Sequence, residues 1–172
     1  MALRDIIVIP DPRLKLVSEP VATVNSEVRK LADDMLETMY EAPGIGLAAI
    51  QIAVAKRIVT IDLARKDEPK KPLVLINPEI TWTSEEHSVY EEGCLSIPDL
   101  RGVVPRWKRV RLEALDRHAQ PYTVEAEGFY ARVIQHECDH LEGGVYLDRM
   151  DGLRSLSFLR EFERFVVSRE DE

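Results

Sequence analysis

Two histidines and a glutamate in the second half of the chain have the spacing of a metal-dependent hydrolase. They occur in the pattern His-Glu-x-x-His, as His136, Glu137 and His140. On a helix, residues four apart lie on the same face, so both imidazoles can bind one metal ion. Glu137 then lies beside the ion and can transfer a proton between water and a leaving group. The alternative is an ordinary amphipathic helix that carries these residues by chance; the spacing favours the metal site.

Cys94 offers a third metal ligand. It follows Gly93 and precedes a short apolar turn, and taken alone it could equally be a buried free thiol. With the two histidines it completes a set of one thiolate and two imidazoles, which suits zinc or ferrous iron and leaves a position open for water. The other cysteine, Cys138, lies two positions from each histidine, so we expect its side chain to point away from the metal and to serve packing.

The small, apolar segment from Gly44 to Gln51 suggests close contact with a ligand. Gly44 and Gly46 allow the backbone to bend sharply and to approach another chain closely. A phosphate-binding loop is disfavoured because no Gly-Lys-Ser/Thr follows, whereas a plain tight turn stays open. Gln51 ends the segment with an amide that can donate a hydrogen bond to an oxyanion.

Composition limits the class of protein. The 172 residues are 45% hydrophobic and 31% charged, which predicts one soluble domain over residues 1–172. The net charge of -8 argues against a general nucleic-acid-binding protein. No apolar run approaches the roughly 20 residues that span a bilayer, and the N-terminus lacks a secretory signal, so we expect an intracellular protein.

Apolar periodicity predicts helices near both ends of the chain and strands between them. A helix should begin at Asn25 or Ser26, carry its methionines in the core and end before Pro43. Gly128 should open the helix of the histidine motif. A last helix is expected from Gly152, docked on the domain or on a second subunit and followed by an acidic end. The predicted strands are 57–63 and 73–76, paired antiparallel and the second ended by Asn77-Pro78, then segments within 80–90, 103–104, 110–115 and 122–127.

Three segments together resemble the signature motifs of peptide deformylase. They are Gly44 to Gln51, Glu92-Gly93-Cys94-Leu95-Ser96 and Gln135 to His140, and their order and separations also fit. The resemblance covers nearly the whole chain. It implies an α+β fold with antiparallel β-sheets packed around a central metal-binding α-helix, plus N-terminal and C-terminal helices. It also implies hydrolytic removal of the formyl group from the N-terminal N-formylmethionine of new polypeptides, with release of formate.

The resemblance assigns roles to individual residues. It implies metal binding by Cys94, His136 and His140, general acid/base catalysis by Glu137, and oxyanion binding by Gln51 and the backbone N–H of Leu95. It favours one Fe²⁺ per chain, replaceable by Ni²⁺, Co²⁺ or Zn²⁺. The substrate backbone would lie as an added strand along Gly44 to Gly46. The methionine side chain would enter a pocket near Ile45, Phe129, Arg132 and Val133. The implied substrate-binding residues are Gly44, Ile45, Gly46, Glu92, Gly93, Phe129, Arg132 and Val133.

Two other functions share parts of this pattern. A zinc endopeptidase also uses His-Glu-x-x-His, but a cysteine from a distant strand is not its usual third ligand. A protein that keeps the metal only for structure would lack Glu137 or close the site with a fourth ligand. The expected partners are N-formylmethionyl nascent peptides and, transiently, the ribosome, with no membrane partner and no sequence-specific nucleic acid. We expect a monomer or homodimer in the bacterial cytoplasm, with a mature organellar form as the alternative.

Overall fold

Helices and antiparallel strands make up the structure, a computed structural model that describes residues 1–167. The helices are α1 (Ser26–Glu41), α2 (Phe129–Leu141) and α3 (Leu159–Phe165), with 3-10 helices at Pro12–Lys15, Ala49–Ile52 and Tyr146–Arg149. The strands are β1 (Gly46–Ala48), β2 (Ile58–Ile61), β3 (Leu73–Thr83), β4 (His87–Cys94), β5 (Ile97–Trp107), β6 (Arg109–Leu115), β7 (Pro121–Glu127) and β8 (Ser157–Phe158). None of the helices within residues 1–167 combines the length and apolar character needed to cross a bilayer.

The strands form two sheets on either side of α2. The five-stranded sheet has the order β1-β2-β3-β6-β7, and the three-stranded sheet has the order β4-β5-β8; every strand pair is antiparallel. Helix α2 contacts β1, β2 and β7 of the first sheet and β5 of the second. The predicted α+β fold around a central helix is therefore confirmed.

Helix α1 forms where the sequence predicted it. Asn25 caps its N-terminus by accepting a hydrogen bond from the backbone N–H of Val28, 3.0 Å away. Met35 and Met39 are fully buried in the core that α1 forms with β1 and β2. The methionines therefore serve packing, as predicted.

The prediction that Asn77-Pro78 ends a strand was wrong. Strand β3 continues to Thr83 through a bulge between Ile76 and Glu79. Asn77 has a φ of 51°, and its side chain binds the backbone of Val21. The bulge takes Pro78, which has no N–H, out of the regular ladder, so the strand survives the proline.

The last helix begins later than predicted, at Leu159 instead of Gly152. Ser157 and Phe158 form β8 instead, because the backbone of β5 at Leu100 and Arg101 offers them hydrogen-bond partners. Helix α3 contacts β5, which agrees with the expectation that it docks on the domain. The acidic end of the chain, residues 170–172, lies outside the described residues.

Candidate active site

Helix α2 and the turn between β4 and β5 bring the three predicted metal ligands together. His136 and His140 lie one turn apart on α2, with ring centroids separated by 5.3 Å. Cys94, the last residue of β4, places its Sγ 3.4 Å from His140 Nε2. One ligand atom from each of the three residues lies within 4.8 Å of the others. The structure thus forms the cluster that the sequence predicted.

The chemistry of this cluster fits a divalent transition metal. His136 Nδ1 lies 2.7 Å from an oxygen of Glu92 and donates its proton to it, which leaves Nε2 for a metal. Burial lowers the pKa of His140 well below its usual value, so this imidazole is neutral, as a ligand must be. Burial also opposes a charge on His136, but its hydrogen bonds with Cys94 and Glu92 outweigh burial and raise its pKa, so a metal that binds Nε2 would displace a proton. One thiol and two imidazoles can hold zinc or ferrous iron.

Glu92 is a buried anion surrounded by cations. Arg106 donates to both of its oxygens, each at 2.9 Å, and Arg132 donates to one of them at 2.7 Å. Burial alone would raise the pKa of Glu92, but hydrogen bonds from His136 and Arg106 lower it to about 2. Glu92 therefore keeps its charge and holds His136 in place.

Glu137 has the opposite surroundings. Its side chain is buried, and its Oε2 has no hydrogen-bond partner among residues 1–167. Burial is the main reason why its pKa is raised to about 7. Gly46 lies directly against it: a Cβ at this position would come within 2.5 Å of Glu137 Oε1. A carboxyl group that exchanges protons near neutral pH, packed against a glycine that makes room for it, suits general acid/base catalysis.

Gln51 lies next to the cluster with a fixed orientation. Its Oε1 accepts a hydrogen bond from the backbone N–H of Ala48 at 2.9 Å, which fixes which end of the amide faces the site. Its Nε2 donates to Ser96 Oγ at 3.1 Å and lies 3.6 Å from Cys94 Sγ. Leu95 follows Cys94 and packs over Gly44. The amide donor predicted for an oxyanion thus points toward the cluster.

A cavity of about 670 Å³ opens in front of these groups. Every predicted site residue except His140 lines it; His140 is fully buried behind. Ile45 and Phe129 expose 41% and 55% of their surface, and Val133 also lines the cavity. Arg132 contributes to the wall, but its guanidinium binds Glu92, Ser88 and Val104. Its predicted contact with a methionine side chain stays a prediction.

Several residues of the site were not identified from the sequence. Arg106 is 4% exposed although it lies in a strand among valines and a proline, and a charged residue in such a run is the signal that could have found it. Tyr146 stacks on the His136 ring, with centroids 6.0 Å apart. Ser96 binds Gln51. Leu159 of α3 also lines the cavity, and nothing in its local sequence indicates this.

Comparisons with known proteins agree with this geometry. A family profile described as Polypeptide deformylase matches residues 3–155. The chain is 49% identical over 169 residues to the peptide deformylase of Rhizobium meliloti (strain 1021), covering 98% of this chain and 97% of that protein.

Solved structures show the same similarity. The crystal structure of peptide deformylase from Ehrlichia chaffeensis in complex with actinonin has a TM-score of 0.84 at 36% identity and covers 100% of this chain and 99% of that one. The Met-ala-ser bound structure of class I type b peptide deformylase from Acinetobacter baumannii has a TM-score of 0.81 at 34% identity, covering 87% and 99%. The chain belongs to the polypeptide deformylase family, metal-dependent enzymes that remove the formyl group from N-formylmethionine.

Proposed function

We propose that the protein carries out this hydrolysis in the cavity in front of α2. Cys94, His136 and His140 would hold the metal, and Glu137 would act as the general acid/base. The observation that carries the proposal is that Glu137, the three ligands and the Gln51 amide meet at one cavity. A divalent cation held there supplies a Lewis acid that polarises water and the formyl oxygen.

Glu137 moves the proton that this reaction requires. Its Oε2, which has no hydrogen-bond partner within residues 1–167, takes a proton from the attacking water, whose oxygen forms a bond to the formyl carbon. The same carboxyl group then gives the proton to the departing amine nitrogen when the carbon–nitrogen bond breaks. Formate and the free amino terminus are the products. The raised pKa of Glu137 supports both steps, because the group can be deprotonated and reprotonated near neutral pH.

Gln51 and the backbone N–H of Leu95 bind the negative charge that develops on the formyl oxygen. Gln51 Nε2 already faces the ligand cluster, and its amide is held from the other end by Ala48. Donors fixed before the reaction stabilise a developing oxyanion without reorganisation, and loss of one typically costs about 100-fold or more in turnover.

The substrate backbone would extend the five-stranded sheet at the edge formed by β1. Strand β1 is the edge strand next to β2, and it begins at Gly46. An extended peptide along Gly44 to Gly46 can pair with this edge, while Ile45, Phe129 and Val133 offer apolar contacts to the methionine side chain. The solved structure of the relative from Acinetobacter baumannii holds Met-ala-ser, which agrees with a peptide that begins with methionine as the ligand. Glu92 and Gly93 also line the cavity.

We further propose ferrous iron as the native metal, with Ni²⁺, Co²⁺ and Zn²⁺ as replacements. The sulfur and two nitrogen donors suit these ions, whereas magnesium and calcium prefer oxygen donors.

Residues 1–172 would form one catalytic domain, since both sheets and α2 contribute to one cavity. We also propose that the protein acts in the cytoplasm as a monomer or homodimer and contacts the ribosome transiently, because its substrates are nascent chains.

The experiment is formate release from a formyl-Met peptide by anaerobically purified protein, with metal content measured on the same sample. We expect release in proportion to bound metal and none from Glu137→Ala. A fully metallated protein that releases no formate would contradict the proposal, and digestion of casein by the same sample would point to an endopeptidase instead.

A further inference from the structure

Arg132 lies one turn before His136 on α2, at a position predicted to contact the substrate, yet its guanidinium faces the protein. Nη1 donates to Glu92 Oε2 at 2.7 Å and to the Val104 carbonyl at 2.8 Å. Nη2 donates to the carbonyl and the hydroxyl of Ser88, at 2.9 and 3.1 Å. The side chain is 4% exposed. Its two terminal nitrogens thus bind groups of the three-stranded sheet.

These contacts join three elements at the site of the metal ligands. Ser88 and Glu92 belong to β4 and Val104 belongs to β5, so Arg132 ties both strands to α2. Arginine can do this because its planar fork presents several donors in fixed directions. A lysine would keep the charge but offer a single nitrogen.

The Glu92 carboxylate shows what Arg132 adds. Oε1 receives hydrogen bonds from Arg106 Nη2 and His136 Nδ1, and Oε2 receives them from Arg106 Nε and Arg132 Nη1. Two donors on each oxygen use the acceptor capacity of the group. Without Arg132, Oε2 keeps only the bond from Arg106, and the carboxylate can turn away from His136.

We propose that Arg132 is a positioning residue: it fixes the Glu92 carboxylate through Oε2 so that Oε1 orients His136 toward the metal. This inference rests on the proposed role of His136 as a metal ligand. Groups that orient metal-bound histidines typically change metal affinity or activity by about 10- to 100-fold when removed. Arg132 would therefore control how firmly the metal is held, and not which side chain enters the pocket.

The test compares Arg132→Met with Arg57→Met, both loaded with Co²⁺. Arg57 is a matched control, because it also joins elements through an ion pair with Glu142 and a bond to the Pro78 carbonyl, but it lies outside the cavity. We expect Arg132→Met to lose Co²⁺ to a chelator about 10- to 100-fold faster than wild type, with an altered Co²⁺ absorption spectrum. Its kcat should fall while its KM for a formyl-Met peptide stays unchanged. Arg57→Met should match wild type in each of these measurements.

A double-mutant cycle tests whether Arg132 acts through Glu92. In a Glu92→Gln background, Arg132→Met should accelerate Co²⁺ loss much less than it does in wild type, since the two residues share one effect. An equal acceleration in both backgrounds would overturn the proposal. So would an Arg132→Met protein that keeps Co²⁺ as wild type does while its KM rises, because that result would place Arg132 in the substrate pocket.

A second variant of Arg132 and the wild-type protein distinguish a failure of this proposal from a failure to fold or a failure of the proposed function. Should Arg132→Met fail to fold, judged by circular dichroism of the metal-free protein, Arg132→Lys replaces it. This variant is expected to lose Co²⁺ at an intermediate rate, and a rate equal to that of Arg57→Met would overturn the proposal. A wild-type protein that binds no metal or releases no formate would instead contradict the proposed function, so the two failures are distinguishable.

Discussion

The active-site cavity holds two buried glutamates in opposite electrostatic surroundings. Glu92 receives hydrogen bonds from two arginines and a histidine. Those from His136 and Arg106 hold its pKa at about 2 against the effect of burial. Glu137 has one oxygen without a partner among the described residues, and burial raises its pKa to about 7. Both line the cavity, and both have the same chemistry in isolation.

The difference assigns them different work. A carboxylate that stays ionised across the physiological range serves as a fixed charge, and here it orients a ligand. A carboxyl group whose pKa lies near neutrality can pass a proton back and forth. Substitutions at or beside each glutamate test one side of this comparison.

The largest effect is expected from Glu137→Gln. The amide has nearly the same shape but cannot take a proton from water, so formate release should fall by about 10²- to 10⁴-fold. Metal content, measured on the same sample, should not change, because Glu137 is not among the proposed ligands. A variant with near wild-type release would show that Glu137 is not the base.

Gly46→Ala should displace the carboxyl group of Glu137 without altering Glu137 itself. The new Cβ would meet Glu137 Oε1 at 2.5 Å and its Cδ at 2.9 Å, so the carboxyl group must move. A displacement of this size can cost on the order of 10²-fold in turnover. Gly144→Ala is the control, since its Cβ would find no atom closer than 3.4 Å. Equal kcat in the two variants would contradict the proposed position of Glu137.

On the other side of the comparison, Glu92→Gln removes the fixed charge. It leaves Arg132 buried without its anion and Arg106 with Asp139 as its anionic partner. Breaking such a group typically lowers the free energy of unfolding by about 3–5 kcal/mol. Metal loss should also become about 10- to 100-fold faster. Urea unfolding and chelator competition measure the two effects. Glu86→Gln, which alters a surface pair with Lys108, is the control and should change neither.

The smallest effect is expected from Tyr146→Phe. The Tyr146 hydroxyl is buried and, like Glu137 Oε2, has no partner among residues 1–167, but it carries no charge. Its removal should raise the free energy of unfolding by up to about 1 kcal/mol, since burial without a hydrogen bond is unfavourable. The ring keeps its packing on His136, so formate release should not change. A destabilised variant would mean that the hydroxyl has a partner in solution.

The sequence predicted the parts of this site that depend on local spacing. His136 and His140 could be paired because a helix places residues four apart on one face, and Asn25 marked the start of α1 because a cap is a local signal. Cys94 was joined to them by chemistry and by resemblance. The partners of Arg132 could not be predicted, because they depend on how β4 and β5 pack against α2.

The same limit explains the two errors in the fold. Pro78 indicates a strand end by local rules, but the bulge in β3 depends on pairing with β6. The apolar spacing after Gly152 indicates a helix, but Ser157 and Phe158 pair instead with the edge of β5 that does not contact β4. In both places a hydrogen-bonding partner distant in sequence overrides a local preference.

Removal of the C-terminal part of the chain would expose one edge of strand β5. One of its edges pairs with β4, which carries Glu92 and Cys94, and the other pairs with β8. Cutting the chain before Ser157 would uncover backbone donors and acceptors at Leu100 and Arg101 and would remove Leu159 from the cavity wall. An uncovered strand edge invites pairing with other molecules. Residues 157–159 should therefore be kept in any variant meant for activity measurements or crystals.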